Sequence, residues 1–497
     1  MATTTQERAS TQTALPPGPR PLPILGNLLS LRRDPLAFLQ QIQRVYGDIA
    51  TLYIGQSPIV LLSRPEYIRY VLVEHPRQFT SHEVAQNEGD DTAISEGLLS
   101  LDGEKHRQQR RAVQPAFHKK RVEHDADIMQ QYTQDLLASW RPGDIVDMSR
   151  SMQELTVRIV GKCLFDLDLV NQLDTIGSTF NDLIGGRADV LETLFHLRID
   201  HPLTSYGKRK AAMKRLDMLI YTLLAERRNE DQDRGDMLSM LLKAQTGEQP
   251  EQPLNDKQIH DHIVTFIAAG HETTANALIW TFYLLSKHPE IHAKLLNELH
   301  SVLGNRAPTV EDIAKLPYTE WVLQESMRLY PPAWIQARSV AEDIELDGTR
   351  IPAGTVVMMS QWVMHRRPDL WKDAEVFRPE RWDPEQAQQL PAGAYFPFGA
   401  GPRICIGMPF AQLEAKIILI NILQRFTPQT TPGYRAEVNP VITLRPKEHL
   451  RMRLLPASID SEQDAARWNN LVAINDQTDV DRQGCLGLLL SLVRWTR

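Results

Sequence analysis

The stretch Phe396–Gly407 reads F-P-F-G-A-G-P-R-I-C-I-G, and the arrangement around its one cysteine decides how the chain is to be understood. Three glycines and two prolines in this short span enforce a tight, irregular backbone. The residues that follow, M-P-F-A-Q-L-E-A-K-I-I-L-I-N-I-L, predict a helix beginning where the loop ends. A cysteine just ahead of a helix N-terminus has its thiolate favoured by the positive end of the peptide dipoles. Gly401 and Gly407 predict a backbone that comes close to a bulky flat ligand and aims N–H groups at the sulfur. Arg403, two residues before Cys405, is placed to pair with an acidic group on that ligand. Most free cysteines are small buried hydrophobes. Here the spacing of glycine, arginine and helix points instead to one activated sulfur.

Working outward, the other two cysteines, Cys163 and Cys485, are too far apart to build a disulfide framework or a C-x-x-C metal site with Cys405. A reducing, cytoplasmic setting is therefore expected. A net charge of −7 gives no footing for nucleic-acid binding. No run of 18 apolar residues occurs, so no spanning helix or transmembrane anchor is expected, and the polar start M-A-T-T-T-Q-E-R lacks an apolar signal core.

Upstream, Ile259–Leu285 is a long apolar segment. Asn255 and Gln258 predict a capping box at its start, and His288-Pro289 bounds its end. Inside it stands Ala269-Gly270-His271-Glu272-Thr273-Thr274. Ala269 and Thr273 are four apart and share a face; a small residue there leaves room for a ligand, while a hydroxyl and a carboxylate can hold water. The plainer alternative has Thr273 bonding back to a carbonyl and Glu272 as a surface charge. A zinc helix of H-E-x-x-H type fails, because the fifth position is Ala275.

Glu325 and Arg328 lie three apart on an amphipathic helix ending before Pro331-Pro332 and can pair; alone, E-x-x-R says little. Thr51–Ile54 and Ile59–Leu62, around Gly55-Gln56-Ser57-Pro58, read as a hairpin. Short strands are expected near Ile344–Glu345 and Thr355–Met359. The expectation is a mainly α fold with small β-sheets, as one large domain over residues 15–456. A disordered lead (1–14) precedes it and an extension (457–497) follows, whose apolar Cys485–Val493 is a docking helix or a frayed end.

The cysteine loop matches F-x-x-G-x-R-x-C-x-G, with Phe398, Gly401, Arg403, Cys405 and Gly407 in place, and resembles the haem-binding signature of the cytochrome P-450 superfamily. That resemblance implies haem b between the long central helix and the helix after the cysteine loop. Cys405 would ligate its iron as a thiolate that favours O–O cleavage, and Arg403 would pair with a propionate. Ala269–Thr273 resembles the family's oxygen-activation motif, A-G-x-E-T, which implies that Glu272 and Thr273 guide protons beside Ala269. F-R-P-E-R-W at 377–382 resembles the segment whose arginine, here Arg381, joins Glu325 and Arg328 in a buried structural network. His106-x-x-x-Arg110 resembles the W-x-x-x-R propionate clamp with histidine in place of tryptophan, and Arg338 matches another propionate-binding arginine. These matches span residues 15–456.

The implied activity is a monooxygenase that inserts one atom of O₂ into a lipophilic small molecule such as a fatty acid or terpenoid. Neither a G-x-G-x-x-G fingerprint nor room for a fused reductase is present. Electrons are therefore expected from a ferredoxin or flavodoxin with its NAD(P)H reductase, docking on the basic stretch Lys105–Arg121 of a monomer. By the same resemblance Ile94, Leu98, Phe266, Ala269, Ala333, Trp334, Ile335, Val441 and Ile442 line the substrate pocket. Peroxygenase or isomerase chemistry on this scaffold is the rival, against which the retained acid–threonine pair speaks. A non-catalytic haem sensor would need an effector region, and none is recognisable.

Overall fold

The computed structural model describes residues 15–81, 96–169, 179, 199–230, 232–246 and 253–457. The expectations for residues 1–14, for Ile94 and for the extension after residue 457 lie outside the described residues. Helices of ten or more residues are α1 (Pro35–Tyr46), α2 (Gly103–Val113), α3 (Lys119–Ala138), α4 (Met148–Phe165), α5 (Ser205–Asn229), α6 (Met237–Thr246), α7 (Asp256–Lys287), α8 (Pro289–Leu303), α9 (Pro317–Leu329) and α10 (Met408–Arg425). Strands are β1 (Ile49–Ile54), β2 (Ser57–Leu62), β3 (Phe79–Thr80), β4 (Ile145–Asp147), β5 (Gln336–Val340), β6 (Ile344–Leu346), β7 (Thr349–Ile351), β8 (Val356–Met359), β9 (Phe426–Gln429), β10 (Val438–Pro440), β11 (Leu444–Pro446) and β12 (Arg451–Pro456).

Helix α7 organises the body. The capping box forms: Gln258 N donates to Asn255 Oδ1 at 2.8 Å, and Asn255 N donates to Gln258 Oε1 at 2.9 Å. Its 32 residues make a rod about 48 Å long at 1.5 Å per residue. It is buried on most of its circumference, as a helix apolar all round must be, and α4, α5, α8, α9 and α10 pack against it. One continuous core joins α3, α4, α7 and α10. In α10, Pro409 is tolerated in the first turn, and Ile417–Leu423 are sealed into that core.

The largest sheet runs β1-β2-β8-β5-β3, with only the β2–β8 pair parallel. The β1–β2 hairpin is tighter than expected: Ile54 faces Ser57 directly, leaving only Gly55-Gln56 to turn. Gly55, at φ +61°, makes that possible, because the left-handed region is open to glycine. A smaller core under this hairpin holds Leu39, Leu52, Leu61 and Trp334. The β10–β11 hairpin is moored at its far end: Trp280 Nε1 of α7 donates to Leu444 O at 2.9 Å, and Leu444 N donates to Pro332 O at 2.9 Å.

Candidate functional site

Cys405 stands three residues before α10, its N–H donating to Phe398 O at 2.9 Å. Backbone N–H groups of Gly407 and Met408 reach the sulfur, and the Arg110 charge lies beside it. All three favour the thiolate, against burial, which is the largest influence and pushes the thiol up. The side chain is accessible to solvent although protein surrounds it on most sides; the two observations agree if the sulfur lines an interior hollow. Arg110 Nη2 donates to Ile404 O at 2.8 Å, bracing the residue before the cysteine.

Gly401 also answers to a contact within the protein. A Cβ there would sit 1.7 Å from Leu72 O, and its φ is +68°. The protein's own backbone is enough to require glycine there. At Gly407 a Cβ would meet Phe117 at 3.6 Å and the Cys405 sulfur at 4.0 Å. Phe117, a residue that sequence reasoning missed, then meets Phe266 of α7 with ring centroids 5.5 Å apart. Phe266 lies one turn before Ala269 on the same face, so the cysteine loop and the middle of α7 look onto one space.

Positive charge gathers at one edge of that space. Arg403 donates to Asp102 Oδ1 at 2.8 Å, Leu101 O at 2.7 Å and Leu99 O at 3.2 Å. Arg338 is deeply placed, and burial first, then Arg403, pulls its pKa down to about 10. His106 is lowered to about 4 by burial, then by Arg403 and Arg110, so it is neutral and offers one N–H. Among the described residues, Asp102 is the carboxylate that offsets the charges of Arg403, Arg110 and Arg338 around His106. A donor set of one accessible sulfur and an excess of cations suits a flat ligand carrying a metal and two acidic groups, and so fits haem.

On the opposite side, Ala269 is exposed and Gly270 and Thr273 are half-buried, in the middle of a helix buried over most of its length. Thr273 Oγ1 donates to Ala269 O at 2.8 Å, the back-bonded alternative; its lone pairs stay available. Glu272 is no surface charge: it is 5 % exposed, and Thr443 Oγ1 donates to its Oε1 at 2.6 Å. Gly270 is explained by packing, since a Cβ there would meet the Val160 side chain at 3.0 Å.

Beneath the cysteine loop, Glu325 accepts from Arg328 Nε (2.9 Å) and Nη2 (2.8 Å), Arg381 Nε (2.8 Å), Arg378 N (3.0 Å) and Trp382 Nε1 (3.0 Å). The arginines' remaining N–H groups reach carbonyls, among them His365 O, Ala374 O and Lys372 O. Trp382 and the carbonyls carried no signal in the E-x-x-R spacing.

Of the expected pocket residues, Leu98 and Phe266 are buried, and Ala333, Ile335 and Val441 half-buried. Trp334 is a correction: its ring sits in the small core under β1–β2, with Nε1 donating to Val441 O at 2.8 Å. An indole needs both apolar contacts and one acceptor, and that core supplies both. Ile442 is 65 % exposed in the β10–β11 loop. Thr443 and Asp102 were missed because their partners lie 171 and 301 residues away.

A cysteine thiolate before a helix, facing a turn of small residues and rimmed by arginines, defines the haem-thiolate class of protein. A cytochrome P-450 family profile matches residues 16–449, and the chain belongs to that family. It is 35% identical to cyclooctatin synthase of Streptomyces melanosporofaciens, over 86% of this chain and 92% of that one. It is 36% identical to cyclooctat-9-en-7-ol 5-monooxygenase of the same organism, over 84% and 90%. With pentalenene oxygenase of Streptomyces avermitilis the identity is 31%, over 88% and 96%. The retinoic-acid-bound structure of cyanobacterial CYP120A1 superposes with a TM-score of 0.79 at 28% identity, covering 89% of this chain and 99% of that one. The protein is thus a haem-thiolate monooxygenase whose cofactor is haem b. Among the described residues no helix is long and apolar enough to cross a membrane.

Proposed function

We propose that this monooxygenase oxidises a terpenoid, with electrons supplied by a ferredoxin or flavodoxin and its NAD(P)H reductase. The observation that carries the reading is the pairing of an accessible turn at Ala269 with the accessible sulfur of Cys405, linked through Phe266, Phe117 and Gly407. Terpenoid is favoured over fatty acid because cyclooctatin synthase, cyclooctat-9-en-7-ol 5-monooxygenase and pentalenene oxygenase, at 35, 36 and 31% identity, act on terpenoids. Bound haem supplies the dioxygen chemistry. Cys405 would hold it, Arg110, Arg338, Arg403 and His106 would receive its acidic groups, and the small side chain of Ala269 would leave room for a ligand. Leu98, Phe266 and Val441 exclude water and orient the substrate. Thr273 presents lone pairs at Oγ1, and Glu272 holds and returns protons.

The test is a spin-state titration of the purified haem protein with terpene hydrocarbons, terpene alcohols and fatty acids, followed by ¹⁸O₂ turnover. Terpenoids should convert the spin state at micromolar concentration and acquire one labelled oxygen. Conversion by fatty acids alone would overturn the substrate reading. Cys405→Ser should abolish the red-shifted Soret band of the reduced carbon monoxide complex, whereas Cys163→Ser, at a buried packing position, should keep it. Thr273→Ala should divert NADPH to peroxide, and unchanged coupling would remove Thr273 from proton handling.

A further inference from the structure

Glu272 is anchored by a residue far along the chain. Thr443 lies in the loop between β10 and β11 and is 6 % exposed. Its Oγ1 donates to Glu272 Oε1 at 2.6 Å and accepts from Asn276 Nδ2 at 3.1 Å. The direction of this chain follows from counting hydrogens: an amide NH₂ only donates, so Thr443 offers Asn276 a lone pair and sends its single hydrogen to the carboxylate. Asn276 is fully buried and stands four residues after Glu272, on the same face of α7. Glu272 Oε1 is therefore occupied, while Oε2 has no hydrogen-bond partner among the described residues.

The anchor is coupled to the substrate side. Val441, two residues before Thr443, donates its N–H to Thr443 O at 3.2 Å, and Val441 O accepts from Trp334 Nε1 at 2.8 Å. The loop is thus a short braced unit, and a ligand pressing on Val441 presses on Thr443.

We propose that Thr443 is the positioning residue for Glu272, reserving Oε2 for proton transfer and tying the carboxylate's orientation to occupancy of the pocket beside Val441. This rests on the reading of Glu272 as the proton-handling acid. A carboxylate held by one strong, charge-assisted bond is fixed in rotamer without being saturated. Loosening that bond is the means by which a bound substrate makes itself felt at the acid.

The experiment uses haem-loaded protein carrying ¹³C-carboxyl glutamate. An infrared difference spectrum between wild type and Glu272→Gln isolates the Glu272 carboxylate band. Thr443→Val, which keeps the shape and removes the hydroxyl, should shift that band; Thr443→Ser should leave it. A terpenoid that changes the spin state should move the band in wild type and in Thr443→Ser but not in Thr443→Val. The share of NADPH lost to peroxide should rise several-fold in Thr443→Val, with no further rise from Thr443→Val in a Glu272→Gln background, as a shared function requires. If Thr443→Val fails to load haem, Thr443→Ala is read by the same band and the same cycle. A band indifferent to loss of the hydroxyl, or additive effects on peroxide, would overturn the proposal. A shifted band with full coupling in Glu272→Gln would instead sink the proton-handling reading, and with it the purpose assigned to Thr443.

Discussion

Glu325 in α9 and Glu272 in α7 are both buried helix carboxylates, and their surroundings could hardly differ more. Glu325 is wholly buried and accepts five hydrogen bonds, from two arginine side chains, one indole and one backbone N–H. Glu272 is nearly as buried and accepts one among the described residues, from Thr443. A carboxylate has about four lone-pair sites. Glu325 has them filled, which makes it a fastener that cannot take a proton without breaking several bonds. Glu272 keeps an oxygen in reserve. Asp125 in α3 is a further case: it is fully buried, neither oxygen has a hydrogen-bond partner among the described residues, and Arg121 stands 3.6 Å away.

The largest expected effect comes from emptying the saturated site. Glu325→Ala should cost about 3–5 kcal/mol, because buried arginines lose their counter-charge. Little haem-loaded protein should accumulate, as measured by haem content and urea midpoint. A stable, loaded variant would show that Glu325 is not a fastener.

Glu272→Gln should do the reverse. Its unfolding midpoint should stay near wild type, since the Thr443 hydroxyl can still donate to the amide oxygen. Its coupled turnover should fall about 10²-fold, the usual scale for losing a proton-transfer group. A stability loss rivalling that of Glu325→Ala would make Glu272 another fastener.

Asp125 sharpens the comparison through pH. Burial, the dominant cause, raises its pKa from 3.8 to about 7 against a lowering by Arg121. Between those values the folded protein keeps a proton that the unfolded chain has released, so this group's contribution is full below about pH 4 and is lost as pH rises towards 7. With Arg121 free to close the gap, the loss should be on the order of 2 kcal/mol. Asp125→Asn should flatten the stability profile over that interval. Identical profiles in denaturant titrations would mean that the carboxyl finds donors in solution.

The smallest effect belongs to charges that are solvated. The Lys119 side chain is 84 % exposed and only 3.7 Å from Glu123, a pair worth little to stability. Reversing Lys119 and Lys120 should leave the unfolding midpoint alone. It should slow iron reduction by a ferredoxin several-fold at low salt, with the difference fading at a Debye length of about 10 Å, near 0.1 M. A rate indifferent to both would move the partner's docking site elsewhere.

Much of this was legible in the chain because it is local. The cysteine loop packs its chemistry into the twelve residues Phe396–Gly407, and α7 announces itself by an apolar run and a cap that both lie within it or next to it. Those features follow from backbone sterics, helix period and neighbouring side chains, which travel with the sequence. The tight Gly55-Gln56 turn is a near miss of the same kind, wrong only in which residues still pair.

Tertiary structure decided the rest, because hydrogen-bond partners and close contacts are chosen by whichever elements pack together. Nothing in Gly401 announces the Leu72 carbonyl that forbids a side chain there. Trp334 has the composition of a pocket wall and is a core residue, because the β1–β2 hairpin lies over it. Arg403 meets Asp102 and Glu272 meets Thr443 only after long stretches of chain have folded back. Sequence alone determined that this chain carries the haem-thiolate family's cysteine loop and an acid beside a threonine; packing decided how many hydrogen bonds each buried carboxylate receives.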